Sequence, residues 1–203
     1  TTGNSCVAVG FSALANNTTA HGNVAVGRDT LFANTTGTQN VAIGYSALAA
    51  NTTASNNSAV GYNALRQNTT GTGNNAFGLQ TLDACTSGDY NTAFGHVALS
   101  ANVSSAGNTA FGSQVLYAAT GARNTGVGDT AGYAITSGSN NLLLGADAGR
   151  TGSPGGNYTS ENNAIVLGDE NIAEAQIQVD WTVASDQRDK TDFTALDLGL
   201  DFV

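Results

Sequence analysis

The stretch Asn91-Thr92-Ala93-Phe94-Gly95 decides the fold, because versions of it return along the chain at an almost constant spacing. Most copies consist of an Asn, a variable residue, a small residue, an apolar residue and a Gly. Successive closing glycines are 17 residues apart, with one step of 16 and a last step of 23; they are Gly10, Gly27, Gly44, Gly61, Gly78, Gly95, Gly112, Gly128, Gly145 and Gly168. Self-similarity at a short fixed period predicts a solenoid or fibre, whose units stack because none can bury its apolar face alone.

The two residues before each closing glycine indicate how the strand is covered. The residue directly before the glycine is apolar in every copy, as in Val26, Ile43 and Phe94. The residue two before it is Ala in seven copies, from Ala8 to Ala110. Adjacent strand residues point to opposite faces. The pattern therefore predicts a strand covered on both faces, one of them by a wall so close that only Ala fits.

The residues after each glycine predict a second short segment and a polar turn. The fourth position is Leu in seven successive copies, from Leu14 to Leu116. Asn-Thr-Thr bends follow at Asn17, Asn34, Asn51 and Asn68, and Asn and Gly supply turn chemistry. A helical repeat is the alternative for the Ala-Leu segments, but Gly and Asn in every copy disfavour long helices. We expect an all-β fold, a parallel β-solenoid or β-roll with 17-residue repeats.

A coil of 17 residues is thin and has little core of its own. Because the strand is apolar on both faces, its second wall must come from another chain. We therefore expect an elongated homotrimer, the natural arrangement for a fibre.

Charge is sparse and unevenly spread. Only 10% of residues are charged, against about 25% in ordinary soluble domains. Residues 1–150 hold four Arg and five Asp, a net of −1, whereas residues 151–203 hold one Arg and one Lys against ten acids, a net of −8. No basic stripe suits nucleic acid, and no apolar run approaches the ~20 residues of a membrane span. We expect neither nucleic-acid binding nor membrane insertion.

Several isolated residues are compatible with chemistry, but the repeat explains them. Cys6 and Cys85 occupy Asn positions in different repeats and are expected to be free thiols. The Asn-Thr-Thr bends match glycosylation sequons, yet they stand where the turn needs them. His21 and His96 fall in different repeat positions, which argues against a shared metal site. The acids Asp169, Glu170, Glu174 and Asp180 lack the alternating spacing of a calcium loop. No metal or cofactor is expected.

The repeat pattern breaks after Gly145. Gly152-Ser153-Pro154-Gly155-Gly156 is a loop insertion, and Ala164 to Gly168 restores one last strand. Beyond it Ile177, Val179, Trp181 and Val183 alternate with other residues, the period-two pattern of a half-buried strand. We therefore divide the chain into a repeat shaft, 1–150, a segment of loop, last repeat and β neck, 151–184, and a terminal segment, 185–203. Thr1-Thr2-Gly3 matches a linker found within the repeats, so we expect an internal fragment of a longer protein.

The terminal segment carries a recognisable motif. Ser185-Asp186-Gln187-Arg188-Asp189-Lys190, followed by Leu198 to Val203, resembles the opening of the self-cleaving C-terminal chaperone domain, of the peptidase S74 type, found in bacteriophage tail fibres and tailspikes. The Asn-Thr-Ala-Phe-Gly repeats resemble the fibre repeats that often precede that domain, and also the head repeats of trimeric bacterial adhesins. The likeness covers essentially the whole chain.

The resemblance implies a single self-cleavage, with Ser185 as nucleophile and Lys190 as its general base. A serine hydroxyl needs an adjacent base, and a desolvated lysine can serve. The family usually has Leu where Asp189 stands, and 185–203 covers only the start of such a domain. We expect no enzyme activity from this chain beyond that one event, and only with the complete domain present.

The resemblance implies a structural and adhesive segment of a phage tail fibre: extracellular, in the virion, joined to other tail proteins and presenting polar Asn, Thr and Ser turns to a host-cell glycan or protein. A trimeric bacterial adhesin head is the alternative; it would be expected to end in a coiled-coil stalk and membrane anchor, and neither pattern is present in these residues. A polysaccharide depolymerase would need paired carboxylates about 5–10 Å apart. The shaft acids stand at scattered repeat positions; they are Asp29, Asp83, Asp89, Asp129 and Asp147.

Overall fold

A computed structural model describes residues 3–174, and these residues form an all-β structure of ten short parallel strands in one sheet. Each strand is the three-residue segment that precedes a closing glycine. The strands are β1 Val7–Val9, β2 Val24–Val26, β3 Val41–Ile43, β4 Ser58–Val60, β5 Asn75–Phe77, β6 Thr92–Phe94, β7 Thr109–Phe111, β8 Thr125–Val127, β9 Leu142–Leu144 and β10 Ile165–Leu167. The predicted β-solenoid is confirmed.

Each strand pairs only with its sequence neighbours, so one repeat makes one coil. The order in the sheet is the order in the chain, and the register is residue for residue: Ala25 pairs with Ala42, and Phe77 with Phe94. The 16-residue and 23-residue steps keep this register. The chain through Ile172 belongs to one compact unit. The expected neck strand with Ile177 and Trp181 lies outside the described residues.

In β2 to β7 the middle residue is an Ala that points into the coil and packs in a core with the Leu of the following segment. Ala42, Ala59, Leu48 and Leu65 have no exposed surface. The helical alternative for the Ala-Leu segments is wrong, since residues 3–174 contain no helix. The segment is instead a run of turns in which Leu48 has a φ of 52°. This left-handed conformation costs roughly 1–2 kcal/mol, and burial of the Leu, which contributes about 1.5–3 kcal/mol, offsets it.

The closing glycines form a corner that no other residue can form. Gly44 has a φ of 123°, and a Cβ added there would lie 2.5 Å from the carbonyl oxygen of Gly61 in the next coil. The same approach recurs from coil to coil along the column. The glycine therefore serves two needs at once: a backbone conformation that L side chains rarely adopt, and close stacking of the coils.

Two columns of asparagine lie inside the coil. In the motif column, the Asn40 N–H donates to Asn23 Oδ1 at 2.8 Å, and Asn40 Nδ2 donates to the Ala54 carbonyl at 2.9 Å. In the turn column, Asn51 Nδ2 donates to Asn34 Oδ1 at 2.9 Å and to that same Ala54 carbonyl at 3.0 Å. These amides satisfy polar backbone groups that the thin coil would otherwise bury unpaired.

The core changes its composition in the last coils. The interior Leu position is taken by Gly132 and then Gly149, and the interior Ala position becomes Leu143. A Cβ added at Gly132 would lie 2.6 Å from Leu116 Cδ2 and 3.4 Å from Leu143 Cδ1. The large residue has thus moved to the opposite wall, which preserves close packing.

Candidate functional site

The outward side of the sheet, here called the strand face, combines a column that is apolar in every coil with a column that is polar in coils four to eight. It consists of the first and third residues of every strand, in two columns. The third-residue column is apolar throughout, and its end members are well exposed: 57% of Val9 and 44% of Leu167 are accessible. The column comprises Val9, Val26, Ile43, Val60, Phe77, Phe94, Phe111, Val127, Leu144 and Leu167. Within this chain, only the inward side of the strands is covered, although the sequence predicted cover on both faces.

Phenylalanines stack along the middle of the strand face. The ring centroids of Phe77 and Phe94 are 4.4 Å apart, and those of Phe94 and Phe111 are 4.6 Å apart, with nearly parallel planes. Both faces of Phe94 are therefore covered by its neighbours, and only ring edges point outward. Such edges suit packing against an apolar partner.

A further exposed column, here called the corner column, follows the closing glycines. Near the start of the chain it is aromatic and cationic. The Arg28 guanidinium lies over the rings of Phe11 and Tyr45, at 5.7 and 5.6 Å from their centroids, and Tyr45 stacks on Tyr62. Further along, the column is mixed: Leu79 and Ala146 are apolar, whereas His96, Ser113 and Asp129 are polar.

The Asn-Thr-Thr turn presents hydroxyl groups but not its asparagines. Asn34, Asn51 and Asn68 are fully buried, so the folded coil withholds these three sequon amides from modification. The first Thr of the turn donates its hydroxyl to the next coil, as Thr35 Oγ1 does to the Thr52 carbonyl at 3.1 Å. The second Thr is exposed. The polar surface of these turns is therefore made by Thr hydroxyl groups, and not by the side chains of Asn34, Asn51 and Asn68.

The inserted loop and the last coil enclose a polar cleft of about 440 Å³. Arg150 lines it, paired with Asp147 and lying 5.4 Å from the ring centroid of Tyr133. The Thr130 hydroxyl and then Arg150 hold the pKa of Asp147 below its usual range. Asp169 and Glu170 line the same cleft. Tyr133 also stacks on Tyr117, and Thr130, Asp147 and Arg150 bond to one another.

The predicted self-cleavage residues Ser185 and Lys190 lie outside the described residues, as does Asp180. Cys6 and Cys85 are both free, as expected. Cys85 takes the place of an Asn in the turn column: its thiol donates to the Gly88 carbonyl at 3.7 Å, and burial raises its pKa to about 11.

Residues 3–174 contain neither a grouping suited to a metal ion nor a membrane-spanning helix. No three His, Cys, Asp or Glu side chains there, His21, His96, Asp169, Glu170 and Glu174 included, come together as a possible metal site. No helix in that part of the chain is long and apolar enough to cross a bilayer. Several shaft acids make structural pairings, such as Asp83 with Arg66 at 2.9 Å.

Sequence patterning could have found the strand face, because one column is apolar without exception. The sequence pattern did not reveal which column faces outward.

Comparison of the chain with protein-family models, curated proteins and solved structures found no match in any of the three. The functional argument therefore rests on the geometry of the coils and on the residue patterns themselves.

Proposed function

We propose that this chain is a structural and adhesive segment of a bacteriophage tail fibre, assembled as a parallel homotrimer and taking part in attachment of the virion to its host. The observation that carries the proposal is the apolar column of the strand face, which follows all ten strands and stays accessible. A thin coil that leaves such a column outside is suited to assembly with other chains.

The terminal segment supports the phage assignment through its sequence. The Ser-Asp-x-Arg-x-Lys motif that begins at Ser185 resembles the start of an S74-type chaperone domain. In this proposal the chaperone promotes trimer formation and is then released by one cleavage at the Ser185 boundary. Ser185 acts as the nucleophile and Lys190 as its base.

Exposed hydroxyl groups support an adhesive role. Thr36, Thr53 and Thr70 lie on the turn side of successive coils, away from the interior. A row of neutral hydroxyls at the strand spacing of about 4.8 Å is compatible with a polar host-surface molecule, either a glycan or a protein. Other tail proteins of the virion would adjoin the segment.

Antibodies against residues 3–174 test the location. Gold-labelled antibody should mark the tail fibres of purified phage particles and should not mark cells free of phage. Labelling confined to the surface of phage-free bacteria would refute the proposal and favour a cellular adhesin head.

Self-cleavage is tested separately, in a chain extended beyond Val203 by a complete chaperone domain. That chain should cut itself near Ser185, and Ser185→Ala and Lys190→Ala should each remain full length while still forming trimers. Efficient cleavage of the Ser185→Ala protein would exclude Ser185 as the nucleophile.

A further inference from the structure

We infer that the polar cleft beside the inserted loop is a binding site for an uncharged saccharide, which it holds by hydrogen bonds to hydroxyl groups. The inference rests on the proposed role in host attachment and deepens it: it names the place on the chain where a host-surface molecule binds and the chemical class of that molecule.

The inserted loop gives the end of the coil stack a concave surface. The step from Gly145 to Gly168 is 23 residues, six more than the usual repeat. Three successive coils contribute walls to the cleft: Tyr133 belongs to the first, Arg150 to the second and Glu170 to the third. The volume of about 440 Å³ falls within the roughly 300–1,000 Å³ of small-molecule sites. The cleft is therefore large enough for a sugar residue.

Hydrogen bonds fix the inserted loop in place. The buried Ser153 hydroxyl accepts from the Gly149 N–H at 2.8 Å, and its oxygen lies 3.2 Å from the Gly168 carbonyl oxygen. The Tyr158 N–H donates to the Gly149 carbonyl at 2.9 Å. The loop is thereby tied to the coil at several points, so this wall of the cleft exists before a ligand binds. A preformed site loses less entropy on binding.

Several polar side chains of the cleft have no hydrogen-bond partner among residues 3–174. They are the Glu170 carboxylate, the Asn157 amide and the Thr151 hydroxyl. Within the same part of the chain Arg150 bonds through Nη1 alone, which leaves Nε and Nη2 for a ligand. A hydroxyl group both donates and accepts hydrogen bonds. One saccharide can therefore use the acceptor Glu170 and the donor Arg150 together.

The charges of the cleft argue against other ligand classes. Its lining carries three carboxylates, of Asp147, Asp169 and Glu170, and one guanidinium, of Arg150, a formal net of −2. Like charges repel, so a phosphate or a uronic acid is disfavoured. An ammonium ligand would leave the free Arg150 nitrogens without an acceptor. No three His, Cys, Asp or Glu side chains in residues 3–174 are grouped to hold a metal ion. An uncharged ligand rich in hydroxyl groups fits both kinds of free group.

An array of immobilised bacterial oligosaccharides tests the ligand class, with uncharged, amino-substituted and acidic members probed by the full 203-residue protein. At least one uncharged member should bind, and calorimetry with that oligosaccharide in solution gives its affinity. Glu170→Ala should weaken binding about tenfold or more, and Asn157→Ala by about two- to tenfold. Both variants should melt like the wild type, since neither side chain bonds within residues 3–174. Asp129→Ala is the matched control: it removes an exposed carboxylate outside the cleft lining and should bind like the wild type.

Each contrary result has a distinct meaning. Binding confined to acidic or amino-substituted members would refute the ligand class. Binding of an uncharged member that Glu170→Ala and Asn157→Ala leave unchanged would refute the cleft as its place. No binding to any member, by a chain whose antibody labels tail fibres, would refute this inference alone. Antibody labelling confined to phage-free bacteria would refute the fibre proposal and leave the measured saccharide binding to stand.

Discussion

Completing the asparagine ladder at position 85 should stabilise the protein. Asn68 is fully buried, and its Nδ2 donates to Asn51 Oδ1 at 3.1 Å, but its own Oδ1 has no hydrogen-bond partner. The next residue in that column is Cys85, which has no amide to offer. An Asn at 85 would, like Asn68, have a glycine three residues on, and it could donate to Asn68 Oδ1. Its own Oδ1 would face Asn102, whose Nδ2 already donates to Asn91 Oδ1 and the Ser105 carbonyl.

The magnitude follows from the unpaired acceptor. A buried polar atom without a partner costs about 1–3 kcal/mol, and a new hydrogen bond contributes about 0.5–1.5 kcal/mol. The extra atoms of Asn reduce the gain, because added volume in a packed core is unfavourable. We expect Cys85→Asn to raise the free energy of unfolding by about 1–2 kcal/mol.

Equilibrium denaturation at pH 7 measures the effect, with all variants at one protein concentration because assembly contributes to stability. The denaturation midpoint should rise with an unchanged slope. Asn51→Cys is the matched control: it removes the donor to Asn34 Oδ1 and should lower the midpoint. An unchanged or lower midpoint for Cys85→Asn, with the control behaving as expected, would refute the predicted stabilisation. It would mean that the unpaired acceptor has only moved from Asn68 to residue 85.

Three further outcomes are expected. Burial raises the pKa of the Cys85 thiol from 9.0 to about 11. The free energy of unfolding should therefore be highest below about pH 9 and should fall by at most about 3 kcal/mol as the pH rises toward 11. Denaturation curves of Cys85→Asn should lack this alkaline loss. Gly44→Ala should lower the melting temperature far more than Gly156→Ala, because both have positive φ but only at Gly44 would the Cβ meet backbone; equal shifts would contradict the stacking argument. Ala93→Leu should destabilise the coil itself by about 1–3 kcal/mol, since Ala93 points inward, and an unchanged melting temperature would show spare space there.

The candidate surface was only partly predictable from the sequence. The invariant apolar residue before each glycine indicated a covered position, and that pattern led to the expectation of association. The phenylalanine stack follows from the register, since Phe77, Phe94 and Phe111 occupy one column. The glycosylation sequons could not be judged from the sequence, because exposure of Asn34 depends on where the turn lies relative to the interior.

The sequence by itself determined the coil length, the strand positions and the glycine corners, because each follows from local spacing and from backbone conformations that only Gly adopts readily. The tertiary structure alone decided which side of each strand faces inward. Alternation places Ala25 and Val26 on opposite sides, but only closure of the coil against Leu31 shows that the small residue is inside and the larger one outside. The same closure buried the asparagines, because a coil this thin has little apolar core and leaves many backbone carbonyls that need hydrogen-bond donors.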